Sequence, residues 1–355
     1  MKFKRRSYDS QGMTLRKPKN KLTDTMLSIC IPAYTYVDYT AEAARSILMQ
    51  DVDVELVVVE DFDLLPPNHS ERSRIGEVRE LLNSDPRVQW ISANTRRSIQ
   101  KNWNFTVSQA TRKNVKVMGA DDRLRPAGIK ALLTFLKSEP DIQFLGHLGT
   151  IIDDQGQVVR RMSPYVANRE TVYINPDESV RLKLQQIARF REPACNVFTK
   201  NVWDQVGGYS EQFRFCFDVH FNTRVMASVR SALISEEWCE LRRHQGSDGA
   251  KLPADLALDE LEQLVKFSLG LIKGGATAQD RHHGEAMMAY RVIELALARC
   301  DGSVSQALHF ICKHRARISL SPTVLSKVVQ TLYRRLRKGD VQKTVATPKA
   351  LHRLK

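Results

Sequence analysis

The sequence predicts an α/β architecture, a mostly parallel sheet covered by helices, followed by a region made of helices alone. Between residues 27 and 118 short apolar runs rich in β-branched residues alternate with helical periodicity, as strands buried on both faces require. After Pro140 the runs IQFLGHLGTIIDD and QVVRR flank a turn at residues 154–156, so an antiparallel element follows. From about residue 252 onward only helical patterns remain.

Taken in order, LSICIP is the first strand, and a helix over 37–49 buries Ala41, Ala44 and Leu48 at helical spacing. VELVVVE (54–60) reads as a central strand ended by Glu60 and Asp61. A second helix is expected to open at a Ser70 cap and to stop before Pro86. VQWIS (88–92) is the third strand, and the next helix carries Ile99, Trp103, Val107 and Ala110 on one face. NVKVM then runs into GADD, after which Pro126 is expected to open a helix with Ile129, Leu132, Leu133 and Leu136 on its apolar face. Residues 175–250 mix helices with strands at CNVF and SALISEEWCELRR, and the last helix is expected to start at Ser321 and Pro322 and close at Gly339. Four segments result: a basic disordered tail at 1–25, a mixed domain at 26–250, a helical domain at 251–340 and a basic tail at 341–355.

The chain has 355 residues, ample for a large core, and a formal net charge of +14 gathered mainly at its ends. Residues 2–21 hold eight Lys or Arg against one Asp, and Asp340 is the lone acid between 333 and 355. Such tails attract polyanions, and an anionic membrane surface is the expected partner. Nucleic-acid binding is not expected, since zinc-finger spacing and RNP-like aromatic motifs are absent. MKFKRR is followed by polar residues instead of an apolar stretch, so no secretory signal is expected, and no apolar run has spanning length. Six scattered cysteines without a Cys-x-x-Cys pair point to a reducing compartment and away from structural zinc. The expected location is cytoplasmic, peripheral on a membrane face.

Chemistry concentrates in VMGADDRLRP. Asp121 and Asp122 are adjacent carboxylates following a buried strand, at the edge where open α/β sheets bind ligands. Two anions side by side repel unless a cation, proton or donor offsets them, and a divalent metal on a diphosphate does so. A helix N-cap is the competing reading of the same acids.

The ordered series CIPAY, Glu60 with Asp61, the Asn-rich helix at 102–104, GADDRLRP, VWDQVGGYSEQFRFCFDVHF and ELRRHQ resembles a family 2 glycosyltransferase of the GT-A fold. The resemblance covers residues 27–248. It implies a GT-A type mixed sheet with a Rossmann-like nucleotide-binding half, and inverting transfer from a nucleotide diphosphate sugar to an acceptor hydroxyl. The setting it suggests is cell-surface polysaccharide or glycolipid synthesis, with a glycan or lipid-linked acceptor. Carried over residue by residue, it implies that Pro32, Tyr34, Asn94 and either Glu60 or Asp61 line the nucleotide. Asp121 would touch ribose or metal, and Asp122 would coordinate Mn or Mg. Arg242 and His244 would support the diphosphate, His244 completing the metal shell. Asp218 would be the general base; a helix cap is the other reading of Asp218, and His220 a rival base.

The sequence departs from the family pattern at Thr35, at the insert with Pro66 and Pro67, at Gly119, and at Thr95 and Arg96. A catalytically degenerate fold that only binds a nucleotide sugar or a partner is the alternative function.

Overall fold

The computed structural model describes residues 14–16, 26–162, 171–185, 192–244, 246, 252–299, 304–318, 322 and 326. The expected last helix and most of both basic tails lie outside the described residues. Within the N-terminal segment, β1 (Thr14–Arg16) pairs antiparallel with β4 (Val88–Ser92).

Four parallel strands form the first half of the sheet. They are β2 (Leu27–Pro32), β3 (Glu55–Glu60), β4 and β5 (Asn114–Val117), in spatial order β4, β3, β2, β5. All residues of these strands are buried, which explains why they read as continuous apolar runs. Helices α1 (Val37–Leu48), α2 (Ile75–Ser84) and α3 (Ile99–Gln109) make the crossovers between them. Parallel strands put every carboxyl end on one edge, so the loops after Pro32, Glu60, Ser92 and Val117 converge there.

The sheet continues with mixed polarity. The two-residue β6 (Arg123–Leu124) and α4 (Gly128–Ser138) precede β7 (Phe144–Ile152), β8 (Val158–Arg161) and β9 (Val172–Ile174). After α5 (Pro176–Gln185) come β10 (Asn196–Thr199), α6 (Lys200–Val206), α7 (Phe217–Met226) and the long β11 (Ser231–Arg242). β10 is antiparallel to both β5 and β7, while β7 and β11 run parallel. The expected antiparallel element is the β7–β8 pair.

Two helix starts differ from expectation. Ser70 caps nothing: residues 72–74 form a 3-10 turn and α2 begins at Ile75, because the insert after Asp61 is itself ordered, with Arg72 donating to the Leu65 carbonyl. α4 begins at Gly128 and not at Pro126. Ala127 stands in the left-handed region at φ 61°, and a Cβ on Gly128 would lie 2.7 Å from the Trp238 carbonyl oxygen.

The second compact unit comprises residues 180–189 and 248–355. Its described helices are α8 (Ala254–Gly270), α9 (Ala278–Arg299) and α10 (Val304–Lys313). Ala286, Ala289 and Tyr290 centre a small core, and a Cβ on Gly284 would stand 2.6 Å from Val265, so α8 and α9 approach closely there. Among the described residues no helix is long and apolar enough to cross a membrane.

One side chain ties three parts of the first unit together. Arg87, just before β4, donates to the carbonyls of Leu48, Gln50 and Val52 at 2.6, 3.0 and 2.9 Å and is held by Asp85 at 2.8 Å. It places a cation at the carbonyl end of α1 and satisfies acceptors that have no helical partner. Arg87→Ala is expected to lower the unfolding free energy by about 2 kcal/mol, read from urea denaturation.

Candidate active site at the carboxyl edge of the sheet

Asp121 and Asp122 occupy the tight turn leaving β5, closed by the Asp122 N–H donating to the Gly119 carbonyl at 3.2 Å. The turn is fixed from one side by β6, whose Arg123 and Leu124 pair with Glu240 and Cys239 of β11. That register carries β11 on to Arg242, whose backbone N–H donates to Asp122 Oδ1 at 3.0 Å. A Cβ on Gly119 would meet Asp121 Oδ1 at 2.6 Å and Asp122 Oδ2 at 3.2 Å, so both carboxylates crowd the space above this glycine. A side chain at 119 would push into the acid pair, which accounts for glycine there.

The electrostatics of the pair are unfavourable as they stand. Asp122 keeps some solvent contact at its surface, yet its carboxyl is surrounded by protein atoms; burial, then the Asp121 charge, raises its pKa well above the ordinary carboxylate range. Arg243 and the Arg242 N–H offset this in part. His244 Nε2 lies 3.1 Å from Asp121 Oδ2, with its ring packed edge-on to Tyr36 at 5.1 Å and beside Tyr39 at 5.4 Å. Two carboxylates and an imidazole are donor types that Mn or Mg accepts, with Asp121 touching His244 and adjoining Asp122; to ligate one ion together the three would have to draw closer than they stand here.

The two arginines of ELRRHQ have opposite situations. Arg242 is 2% exposed and its guanidinium is fully engaged by the protein. It donates to the carbonyls of Asp121, Asp153 and Asp154 at 3.0, 3.0 and 2.9 Å and to Glu42 at 2.6 Å, above the ring of Tyr39. It is therefore a clamp behind the acid turn. Arg243, half-exposed at 48%, pairs with Glu192 at 2.5 Å and feels both aspartates. Sequence reasoning singled out Arg242 and passed over Arg243; strand alternation puts neighbours on opposite faces, and nothing local says which face is which.

At the ends of β2, β3 and β4 the ladder extends one residue further, with Ala33 N–H to Val59 at 2.8 Å and Ala93 N–H to Glu60 at 2.7 Å. Pro32 is buried in the β2–β3 register, and Tyr34 stands half-buried on the loop beyond it. Glu60 is wholly buried, and both its oxygens are engaged: Oε2 by the Phe62 N–H at 2.7 Å, Oε1 by Arg79 at 2.8 Å. Burial raises its pKa, against the pull of Arg79. Glu60 thus shapes the loop, while the neighbouring Asp61 has one oxygen that its neighbours leave unpaired. Asp61 Oδ2 accepts from Arg96 Nε at 3.2 Å, and Oδ1 is buried with no hydrogen-bond partner among the described residues. Arg96 also lies over the Tyr34 ring, 4.6 Å from its centroid. Asn94 is exposed on the same loop as Arg96.

Asp218 is in the first turn of α7, and its Oδ1 accepts from the Val219 N–H at 2.7 Å. The loop before it is carried by α3. Asn104 grips the Tyr209 backbone from both sides at 2.8 Å, Gln100 donates to the Phe213 carbonyl, and Trp103 packs edge-on to Tyr209 and Phe217. These residues lie in the first half of α3, which starts at the carboxyl end of β4, so Asp218 stands on the same edge of the sheet as the acid turn. Asn104 reads as an ordinary exposed position in sequence, and only the fold reveals its partner. His220 is buried against Phe213.

A second polar cluster lies on the strands leading to this edge. The donor atoms of His147, Cys195 and Cys239 fall within 4.8 Å of one another, a grouping the scattered cysteines do not announce in sequence. Lys116 Nζ sits 2.8 Å from His147 Nε2 and donates to the Ala194 carbonyl, while His147 Nδ1 faces the Leu148 carbonyl at 2.7 Å. The lysine amine already occupies the imidazole lone pair that a metal would use.

Removing the clamp separates its structural role from any role in binding. Arg242→Ala is expected to destabilise the fold by about 3 kcal/mol in urea denaturation, because Glu42 Oε2 and the Asp121 and Asp154 carbonyls lose this donor, and Glu42 and the Asp153 carbonyl are left with only Arg123 and the Gly156 N–H. Arg243→Ala is expected to change stability by less than about 1 kcal/mol in the same measurement.

Similarity to known proteins agrees with this geometry. No curated protein sequence matches the chain. Among solved structures, residues 1–349 of TarS from Staphylococcus aureus in complex with UDP-GlcNAc superpose with a TM-score of 0.55 at 14% identity, covering 90% of this chain and 89% of that one. The mannosyltransferase PcManGT from Pyrobaculum calidifontis in complex with GDP-Man and Mn2+ gives a TM-score of 0.50 at 15% identity, covering 91% and 84%. At these identities the likeness bears on the fold, which is GT-A. Residues 28–230, more than half of the chain, match the family model described as glycosyl transferase family 2, and the protein belongs to that family.

Proposed function

We propose that this glycosyltransferase moves a sugar, with inversion, from a nucleotide diphosphate donor to an acceptor hydroxyl of a glycan or lipid-linked molecule. The observation that carries this reading is the convergence of Asp121, Asp122 and His244 at the carboxyl edge of the parallel strands. The solved relatives lend support, since one is bound to UDP-GlcNAc and another to GDP-Man with Mn2+. Cell-surface polysaccharide or glycolipid synthesis is the setting we infer from the resemblance.

In this reading Asp122 and His244 would hold a divalent cation, and Asp121 would touch the ribose or the metal. Bound there, Mn or Mg would supply positive charge to offset that of the diphosphate leaving group. Arg243, the half-exposed guanidinium beside the acid pair, adds a second positive charge for that leaving group. Arg242 holds the turn that presents the carboxylates. Asp218 takes the proton from the acceptor hydroxyl as its oxygen attacks the anomeric carbon from the face opposite the diphosphate. It stands in the first turn of α7. Tyr34 and Asp61 receive the nucleoside.

Thermal shift with UDP-GlcNAc, GDP-Man and other nucleotide sugars, with and without Mn, tests the donor site. Asp122→Asn is expected to abolish the cation-dependent shift while raising the melting temperature of the cation-free protein, since it removes one of two crowded anions. Asp218→Asn is expected to leave donor binding intact and slow transfer by about 10² or more. Normal transfer by the Asp218 variant would remove it from the role of base. Arg243→Ala is expected to weaken donor binding by about tenfold, measured by calorimetry with Mn present.

A further inference from the structure

The polar cluster on the strands leading to the acid turn is left unused by the transfer chemistry. Within it Cys195 and Cys239 are free thiols, 3% and 0% exposed, and their sulfurs stand 3.5 Å apart. A disulfide needs the two at about 2.0 Å, so roughly 1.5 Å of movement separates this pair from a covalent bridge. The surroundings allow that movement. Cys239 Sγ lies in the space over Gly149, where a Cβ would meet it at 2.9 Å, so the glycine leaves the thiol room to swing. The β7–β11 ladder is also irregular here, its register shifting between Glu237 and Cys239, so the backbone can follow the side chain.

We propose that Cys195 and Cys239 are a redox switch, which a hydroperoxide closes into a disulfide bridging β11 to the turn Pro193–Cys195 and thereby loosens the grip on the donor. The step balances. The hydroperoxide gives one oxygen to Cys195 Sγ, the thiol that keeps some solvent contact; the O–O bond breaks, and an alcohol or water departs. Cys239 Sγ then attacks the sulfenic sulfur, the S–S bond forms as the S–O bond breaks, and the hydroxide leaves as water with the Cys239 proton. Two thiols lose two electrons, and one peroxide gains them. Lys116 lies close enough to both sulfurs to carry the proton, its own pKa lowered by burial. Burial also raises the pKa of Cys195, against the pull of Lys116, so the pair stays reduced until peroxide is sustained. Both ends of the bridge reach the acid turn. Cys239 pairs with Leu124 in the register that fixes β6, on the strand whose Arg242 holds Asp122. The Cys195 N–H donates to the Glu192 carbonyl at 2.9 Å, and Glu192 pairs with Arg243. Drawing the sulfurs together therefore strains the restraint on Asp122 and the partner of Arg243 at once. The effect on the donor rests on reading this edge as the donor site, whereas the chemistry of the thiols does not.

The test is peptide mass mapping of the full chain after exposure to hydrogen peroxide, with remaining thiols alkylated under denaturing conditions. A linked pair of peptides carrying Cys195 and Cys239 is expected, and dithiothreitol is expected to release it. The thermal shift produced by UDP-GlcNAc or GDP-Man with Mn is expected to fall to less than about half in the oxidised protein and to return on reduction. In Cys195→Ala that shift is expected to survive peroxide. Recovery of both residues as alkylated thiols overturns the proposal, as does conversion of Cys195 to a sulfinic acid without a link. A bridge that leaves the donor-dependent shift unchanged overturns the switch. A reduced protein that shifts with neither nucleotide sugar overturns the donor-site reading and the switch with it, while the mass map still decides whether the bridge forms. Mapping the unmodified protein settles the chemistry even if the variant folds poorly.

Discussion

Two carboxylates in a partly buried turn repel each other, and everything at this site follows from how the chain holds them there. The restraint is a two-residue strand. β6 begins one residue after Asp122, pairs with β11, and thereby fixes the distance along β11 at which Arg242 meets the turn. The guanidinium of Arg242 then closes over the outer loop through the carbonyls of Asp153 and Asp154 and ties it to Glu42 on α1. A buried arginine linked to one carboxylate and three carbonyls is strong evidence of precise placement and weak evidence of net stability, because its desolvation offsets much of the attraction.

The same economy of parts governs the loop that carries Asp218. α3 serves the sheet through Thr106 and Val107, which are buried, and serves the site through Gln100, Trp103 and Asn104, which grip the loop before α7. A single helix therefore sets the position of Asp218 and, through its first residues, the loop bearing Arg96. The loop carrying Arg96 and the loop carrying Asp218 therefore share one rigid support at the end of the same strand.

Much of the fold was legible in sequence, for a physical reason. Strands buried on both faces must be apolar throughout, and LSICIP and ELVVVE are nearly so, which fixes the order of the parallel half. The acid pair was legible because adjacent aspartates after a buried strand are costly without a purpose. Ser70 misled because capping chemistry is local, whereas the insert at 62–74 folds through Arg72 and its own turns. Arg242 and Arg243 were indistinguishable because a one-residue choice of face depends on a register set elsewhere in the sheet. Asn104 and the Cys195–Cys239 approach at 3.5 Å depend on long-range packing that no local spacing encodes.

The Arg242 to Asp122 contact spans 120 positions of the chain. During synthesis the four parallel strands and their helices leave the ribosome well before β11, so the acid turn is made before its restraint exists. The acid turn is thus restrained late in the life of the nascent polypeptide, and a chain interrupted before β11 would lack the Arg242 contact that holds Asp122.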